Sequence, residues 1–327
     1  MFKRLAAALL VAGGVLTPTP AQAETSCDTV TFPVTVVGLQ QTMAGTLCVP
    51  AGAHTLQILV PGGFYNRSYW DIALPSRSYR HAMNDAGYAT LAVDRLGTGA
   101  SSTPLSAVLT AIVDADAVHQ VVRAMRPRFQ KIVLGGHSLG SAISIIEAGT
   151  YHDVDGVVVT AMGHHINALG IAPIAATFVP AVLDPEFSGR VLDPGYLTTL
   201  AGMRYSLHQP GPNVPAVVTL DEATKDVVAP GELVDAALLG TVTPYTRLVD
   251  VPVLSAIASG DPTFCGLLAT DCSSAATYRA AEAPFYGPAA QLQTYVLPGY
   301  GHAFDYAPNA ADLYAAVISW ADRKVGR

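Results

Sequence analysis

Residues Lys131 to Glu147 constrain the fold more than any other stretch of the chain. Ile132, Val133 and Leu134 make a short apolar run of the kind that fits a strand buried on both faces. Small residues follow: Gly135 and Gly136, then His137-Ser138-Leu139-Gly140. Beyond them the pattern turns helical, with Ala142, Ile143, Ile145, Ile146 and Ala148 available to face a sheet. Two readings fit the central pentapeptide. One is a glycine-rich turn whose serine caps a helix; the other is a G-x-S-x-G elbow that lifts a reactive serine above the sheet. The flanking strand and helix are the context the second requires. Gly136 and Gly140 then have a steric reason, because a serine in a strained backbone leaves its close neighbours no room for side chains.

Elsewhere β and α patterns alternate. Thr29 to Val37 and Gln41 to Val49 read as an antiparallel hairpin at a sheet edge. Thr55 to Val60 is the next strand, and it ends in Pro61-Gly62-Gly63-Phe64-Tyr65-Asn66. A helix is predicted over Ser76 to Ala86, a strand over Tyr88 to Val93, and a helix over Ala107 to Met125, on which His119 is read as structural. Gly156 to Ala161 is a further buried strand. This rhythm implies a mostly parallel sheet with helices on both faces. It breaks from about His164 to Asp250, a passage rich in Pro, Gly and apolar residues, where Pro173 and Pro180 rule out a membrane span. It resumes with Val251 to Ile257, followed by Ser259-Gly260-Asp261-Pro262. A last strand, Gln291 to Leu297, leads to Gly301-His302 and a terminal helix over Pro308 to Arg323.

On these residues the chain resembles the α/β-hydrolase superfamily. The resemblance rests on the elbow Gly136-His137-Ser138-Leu139-Gly140 and on Asp94-Arg95-Leu96-Gly97-Thr98-Gly99-Ala100-Ser101-Ser102, which looks like the loop after the fourth strand of many members. It rests also on the order Ser138, Asp261, His302. Gly62-Gly63-Phe64 matches the family's loop after the third strand, with Pro61 where histidine is usual; the contribution of that loop is a main-chain amide, which any residue supplies. The resemblance implies a mostly parallel eight-stranded sheet. The core would comprise 24–163 and 251–327, with a lid at 164–250 inserted after the sixth strand. It further implies acyl transfer to water: Ser138 as nucleophile, His302 as base and Asp261 as its partner. The amides of Leu139 and of Gly63 or Phe64 would hold the oxyanion. Tyr65, His137 and His164 are expected in the substrate pocket, and no cofactor is required. An acyltransferase, thioesterase or lactone-forming enzyme would use the same triad, and a non-catalytic binding protein is the remaining alternative. Asp94 and Arg95 are read as fixing their loop.

Composition excludes several partners. Only 13% of the 327 residues are charged and half are hydrophobic, which argues for a large buried core. The formal net charge is −7, and it becomes −9 without Lys3 and Arg4, which disfavours nucleic acid and anionic membranes. Those two residues, the apolar run Leu5 to Leu16 and Ala21-Gln22-Ala23 read together as a secretory signal peptide, Met1 to Ala23. Secretion, no stable membrane insertion and a small apolar ester as substrate are therefore expected. The cysteines suit an oxidising compartment. Cys27 and Cys48 lie on neighbouring strand candidates and Cys265 and Cys272 bracket a short loop, so two disulfides are expected in that pairing, one of three. No C-x-x-C pair suggests zinc. His164 and His165 are adjacent, and neighbours in an extended chain point opposite ways, so no metal ligand set is expected. Asp221 and Glu222 are read as exposed helix-cap or ion-pair residues rather than an acid–base pair.

Overall fold

The computed structural model describes residues 25–327 apart from 73, 75, 76, 213 and 244, so the expected signal peptide lies outside the described residues, as does Ser76. Ten strands form among the described residues: β1 (Thr25–Val36), β2 (Leu39–Pro50), β3 (Thr55–Val60), β4 (Ala89–Val93), β5 (Lys131–His137), β6 (Gly156–Thr160), β7 (Phe178–Pro180), β8 (Leu197–Thr199), β9 (Val253–Ala258) and β10 (Gln293–Leu297). Eight join one sheet in the order β1-β2-β4-β3-β5-β6-β9-β10, and β7 pairs with β8 apart from it. Within the large sheet antiparallel pairing is confined to β1–β2 and β2–β4 and every other pair is parallel, while β7–β8 is antiparallel.

Sequence explains this layout strand by strand. β3, β4, β6 and β9 are buried at every position, as continuous apolar runs in the middle of a parallel sheet must be. β1, at the edge, is mostly exposed and polar. The β1–β2 connection is two residues, Val37 and Gly38, both at positive φ (49° and 77°), the twist that joins adjacent antiparallel strands. Cys27 and Cys48 are directly opposed across this hairpin and are disulfide-bonded, with Cα atoms 4.1 Å apart.

The helices are α1 (Tyr79–Asp85), α2 (Ala111–Met125), α3 (Leu139–Tyr151), α4 (Ala168–Ala175), α5 (Pro215–Ala223), α6 (Pro230–Ala237), α7 (Ala275–Glu282) and α8 (Ala310–Lys324). The core splits at the sheet into two clusters. One gathers Val118, Val122, Ile143 and Ile146 from α2 and α3; the other gathers Met83 of α1 with Leu313, Val317 and Trp320 of α8. Side-chain caps decide where two helices start. Ser78 accepts from the His81 amide and opens α1, and Thr110 accepts from the Val113 amide and opens α2, a few residues later than hydrophobic periodicity suggests. Between β6 and β9 the chain leaves the sheet and builds α4, the β7–β8 pair, α5 and α6. No helix among the described residues is long and apolar enough to cross a membrane.

Candidate active site

β5 runs up the centre of the sheet and ends at His137; α3 begins at Leu139. Ser138, between them, has φ 52° and ψ −117°, a conformation side-chain-bearing residues rarely adopt. Its amide donates to Thr160 O of the neighbouring strand at 2.8 Å, which fixes the turn to the sheet. The two glycines are there for contact rather than flexibility. A Cβ on Gly136 would come within 2.2 Å of Gly140 O, and one on Gly140 within 2.1 Å of Val60 O. Both obstacles are main chain and cannot turn aside. Gly140→Ala is expected to force β3 and α3 apart and lower the unfolding temperature by about 5 °C or more, or to leave no soluble protein; a clash of this kind costs about 3 kcal/mol or more. Thermal unfolding of the variant checks it.

Two loops bring partners to this serine. Asp261 follows β9 and is buried; its Oδ1 accepts from the Thr263 amide at 2.8 Å, and its main-chain oxygen accepts from the Cys265 amide at 3.0 Å. Cys265 is disulfide-bonded to Cys272, so the loop that carries the carboxylate is closed covalently. His302 follows β10. Its Nδ1 lies 2.8 Å from Asp261 Oδ2 and its Nε2 lies 2.8 Å from Ser138 Oγ. With the carboxylate accepting at Nδ1, the free lone pair of the imidazole is at Nε2, aimed at the serine hydroxyl. Such an arrangement can take a proton from Ser138 while Asp261 balances the charge that forms on the ring.

The amide of Leu139 is the first of α3 and has no acceptor within the helix. Gly62 is pressed against the elbow, since a Cβ there would lie 2.9 Å from the His137 ring and 3.3 Å from Ser138 Cβ. The chain then turns back on itself: Tyr65 N donates to Gly62 O at 3.3 Å, and Phe64 sits at φ 65°. Gly63, Phe64, Ser138, Leu139 and His302 all border one cavity of about 230 Å³. Its outer wall comes from the insertion and the Asp261 loop, chiefly Ile171, Ile174, Phe178, Leu233 and Phe264.

Of the three residues expected in a pocket, Tyr65 borders this cavity and the two histidines do not. His137 lies behind the elbow, stacked on Tyr69 at 4.3 Å, with Nδ1 3.0 Å from the Tyr69 hydroxyl and 3.3 Å from that of Thr160. Burial holds its pKa far below the usual histidine value, and the neighbouring His302 adds to this, so it is a neutral packing residue. His164 is drawn away by Glu282 of α7, 2.6 Å from its Nδ1, and by Thr246, 3.0 Å from its Nε2; Phe285 stacks on it at 4.2 Å. A buried imidazole with both nitrogens engaged has nothing left for a ligand.

The insertion supplies polar residues that its sequence conceals. Arg204 is buried with its guanidinium 4.5 Å from the Tyr65 ring and paired with Asp221 at 2.9 and 3.0 Å. Asp221 is therefore an ion-pair residue but not an exposed one. Gln209 donates to the Tyr65 hydroxyl and accepts from the Ala303 amide at 2.7 Å, linking the glycine loop to the segment holding His302. His208 is kept neutral, its pKa lowered to about 3 by burial, with Arg204 and His302 contributing. Arg204, His208 and Gln209 lie in a run with no clear period and had no signal beyond residue type, whereas the ion-pair role of Asp221 was readable and its burial was not. Asp94 and Arg95 do brace their surroundings. Asp94 accepts from the Arg67 and Ala100 amides, and Arg95 donates to Gly62 O and Val227 O while pairing with Glu232 of α6.

The alpha/beta hydrolase family model matches residues 57–317, four-fifths of the chain. Solved structures resemble it at low identity. An esterase from Thermogutta terrifontis is 19% identical with a TM-score of 0.60, covering 90% of this chain and 98% of its own. A carboxyl esterase from Bacillus coagulans is 15% identical with a TM-score of 0.60, over 91% and 99%. Carboxylesterase CesB from Bacillus subtilis is 15% identical with a TM-score of 0.59, over 91% and 93%. No curated protein matches the chain in sequence. With sheet order, strand-to-helix elbow and family match in agreement, the chain belongs to the alpha/beta hydrolase family.

Proposed function

We propose that this protein is a serine hydrolase that cleaves carboxylic esters with an apolar acyl group, outside the cell, through an acyl-enzyme. The observation that carries the reading is the hydrogen-bonded chain Ser138–His302–Asp261 opening onto a cavity walled mainly by aliphatic and aromatic side chains. His302 takes the Ser138 proton as Oγ attacks the ester carbonyl, and Asp261 stabilises the imidazolium. The carbonyl oxygen gains negative charge and is held by the Leu139 amide together with that of Gly63 or Phe64, at the positive end of α3. His302 then protonates the departing alcohol. Water, deprotonated by the same ring, attacks the acyl group and restores Ser138. Residues 164–250 act as the lid, with α4 and Phe178 forming the acyl side of the pocket. The proteins of similar structure named above are called esterases. Two disulfides fit an extracellular enzyme.

A fluorophosphonate probe and a series of p-nitrophenyl esters test this together. Expected are a covalent adduct on Ser138 and hydrolysis that rises from acetate to medium-length acyl chains. No adduct and no hydrolysis with folded protein would overturn the reading, and transfer to added alcohol in preference to water would replace hydrolysis by acyl transfer. A pocket variant checks the acyl side. Ile174→Trp fills the cavity and is expected to lower kcat/KM for the longer esters about tenfold or more while sparing acetate, since a methylene or two of lost room is worth a factor of 10–200.

A further inference from the structure

We propose that His119, Glu147 and Asp153 form a binding site for one divalent transition-metal ion, away from Ser138. α2 carries His119, α3 carries Glu147, and Asp153 follows the end of α3. Nδ1 of His119 is 3.0 Å from an Asp153 carboxylate oxygen and 3.6 Å from a Glu147 oxygen, and one ligand atom from each residue lies within 4.8 Å of the other two. Around a tetrahedral ion with bonds of 2.0–2.2 Å, ligand atoms stand about 3.3–3.6 Å apart, so a small contraction completes the set.

A second, independent observation points to a ligand. Glu147 is fully buried, and no hydrogen-bond donor among the described residues is aligned with either of its carboxylate oxygens, whose close polar neighbours are His119 and Asp153. Nδ1 of His119, facing both carboxylates, is likewise not aligned for a hydrogen bond. A buried carboxylate without a donor is costly, and proteins meet that cost with a bound proton, a paired charge or a metal. A cation at the meeting point of the three groups would satisfy all of them. The imidazole is already oriented, stacked on Tyr151 at 3.7 Å and 12°, and the Tyr151 hydroxyl is held by Asp116 at 2.9 Å. Arg126, which lines the same cleft, is engaged by Asp155 at 2.8 Å and by the main chain of Asp153. A surface cleft lined by His119, Arg123, Arg126, Pro127 and Asp153 gives an ion its route and leaves space for water as a fourth ligand. One imidazole with two carboxylates suits Zn²⁺ or Mn²⁺ better than Ca²⁺, which prefers an all-oxygen shell. Glu147 is nine residues beyond Ser138 along α3, about 13 Å of helix, so the ion would clamp the far end of that helix to α2 rather than join in the reaction.

The test uses the full folded chain, stripped with EDTA and dialysed, then titrated with Zn²⁺ and separately with Mn²⁺ and Ca²⁺. Expected are one tightly held Zn²⁺ per chain by calorimetry and elemental analysis, and an unfolding temperature raised by about 4–8 °C when the ion is in hundredfold excess over Kd. Ester hydrolysis is not the readout, so failure of this site and failure of the serine-hydrolase reading are separable. His119→Gln and Glu147→Gln are each expected to weaken Zn²⁺ binding at least tenfold and abolish the shift. An unchanged wild-type unfolding temperature with no stoichiometric ion would overturn the proposal, leaving a protonated Glu147 hydrogen-bonded to Asp153. So would variants that bind as the wild type does. Should either variant fail to fold, the wild-type stoichiometry and shift alone decide.

Discussion

Ser138→Ala is expected to lower kcat for p-nitrophenyl ester hydrolysis by a factor on the order of 10⁶ while leaving the protein folded. Removing Oγ takes away the proposed nucleophile, and the Ser141 hydroxyl of the elbow donates to Thr160 O and does not replace it. His302 and Asp261 then have no proton to move, so their catalytic contribution goes with that of the serine. Residual catalysis would come from substrate binding and the oxyanion amides alone, about 10³ over water. The substitution is sterically mild: alanine has the same Cβ, the positive φ at 138 is retained, and the one side-chain hydrogen bond lost is that to His302. Single-turnover and steady-state assays beside a thermal melt check this. A variant that keeps more than about 1% of wild-type turnover would remove Ser138 from the reaction.

Asp261→Asn carries the second largest effect, a drop in kcat of about 10⁴ with KM little changed. The surroundings decide which way the amide turns. Asp261 Oδ1 accepts from the Thr263 amide at 2.8 Å, and the replacement side chain has one oxygen to offer there. Its NH₂ group must then face His302 Nδ1, where the carboxylate oxygen stood at 2.8 Å. A donor at Nδ1 selects the imidazole tautomer protonated at Nε2, and that nitrogen then points a hydrogen at Ser138 Oγ where a lone pair is needed. The shape of the site survives and its base is switched off. Measured activity within tenfold of the wild type, in folded protein, would show that residue 261 does not set the tautomer.

These effects follow from parts of the chain that were readable in one dimension to very different degrees. The elbow was legible because its constraint is local: a buried strand, two glycines at which a Cβ would come within 2.1–2.2 Å of main-chain oxygen, and a helix within 17 residues. The parallel core was legible because strands buried on both faces must be apolar throughout, as β3 and β9 are. Both disulfide pairings follow from a hairpin register and a short loop. What resisted reading is long-range. His137 and His164 have the right residue type close to the right motif, yet Tyr69 and Glu282, far off in sequence, hold the Nδ1 of each and turn the rings out of the cavity. Arg204, Asp221 and Gln209 acquire their setting only when the insertion folds over Tyr65. His119 looked like one more helical residue, because the carboxylates it faces arrive from a different helix and the loop beyond it.

The Arg95–Glu232 contact has a mechanical consequence. Both side chains are shut away from water, at 0% and 1% exposure, one on the core's β4 loop and the other on α6 of the insertion. Pulling α6 outward would strand a guanidinium and a carboxylate, a penalty of about 3–5 kcal/mol, which allows such an excursion only rarely. Arg95 also grips Gly62, so the same movement would slacken the turn that presents Gly63 and Phe64. The margin of the insertion that bears Glu232 therefore travels with the scaffold, and Leu233 and Ala236 of α6 are a fixed wall of the cavity.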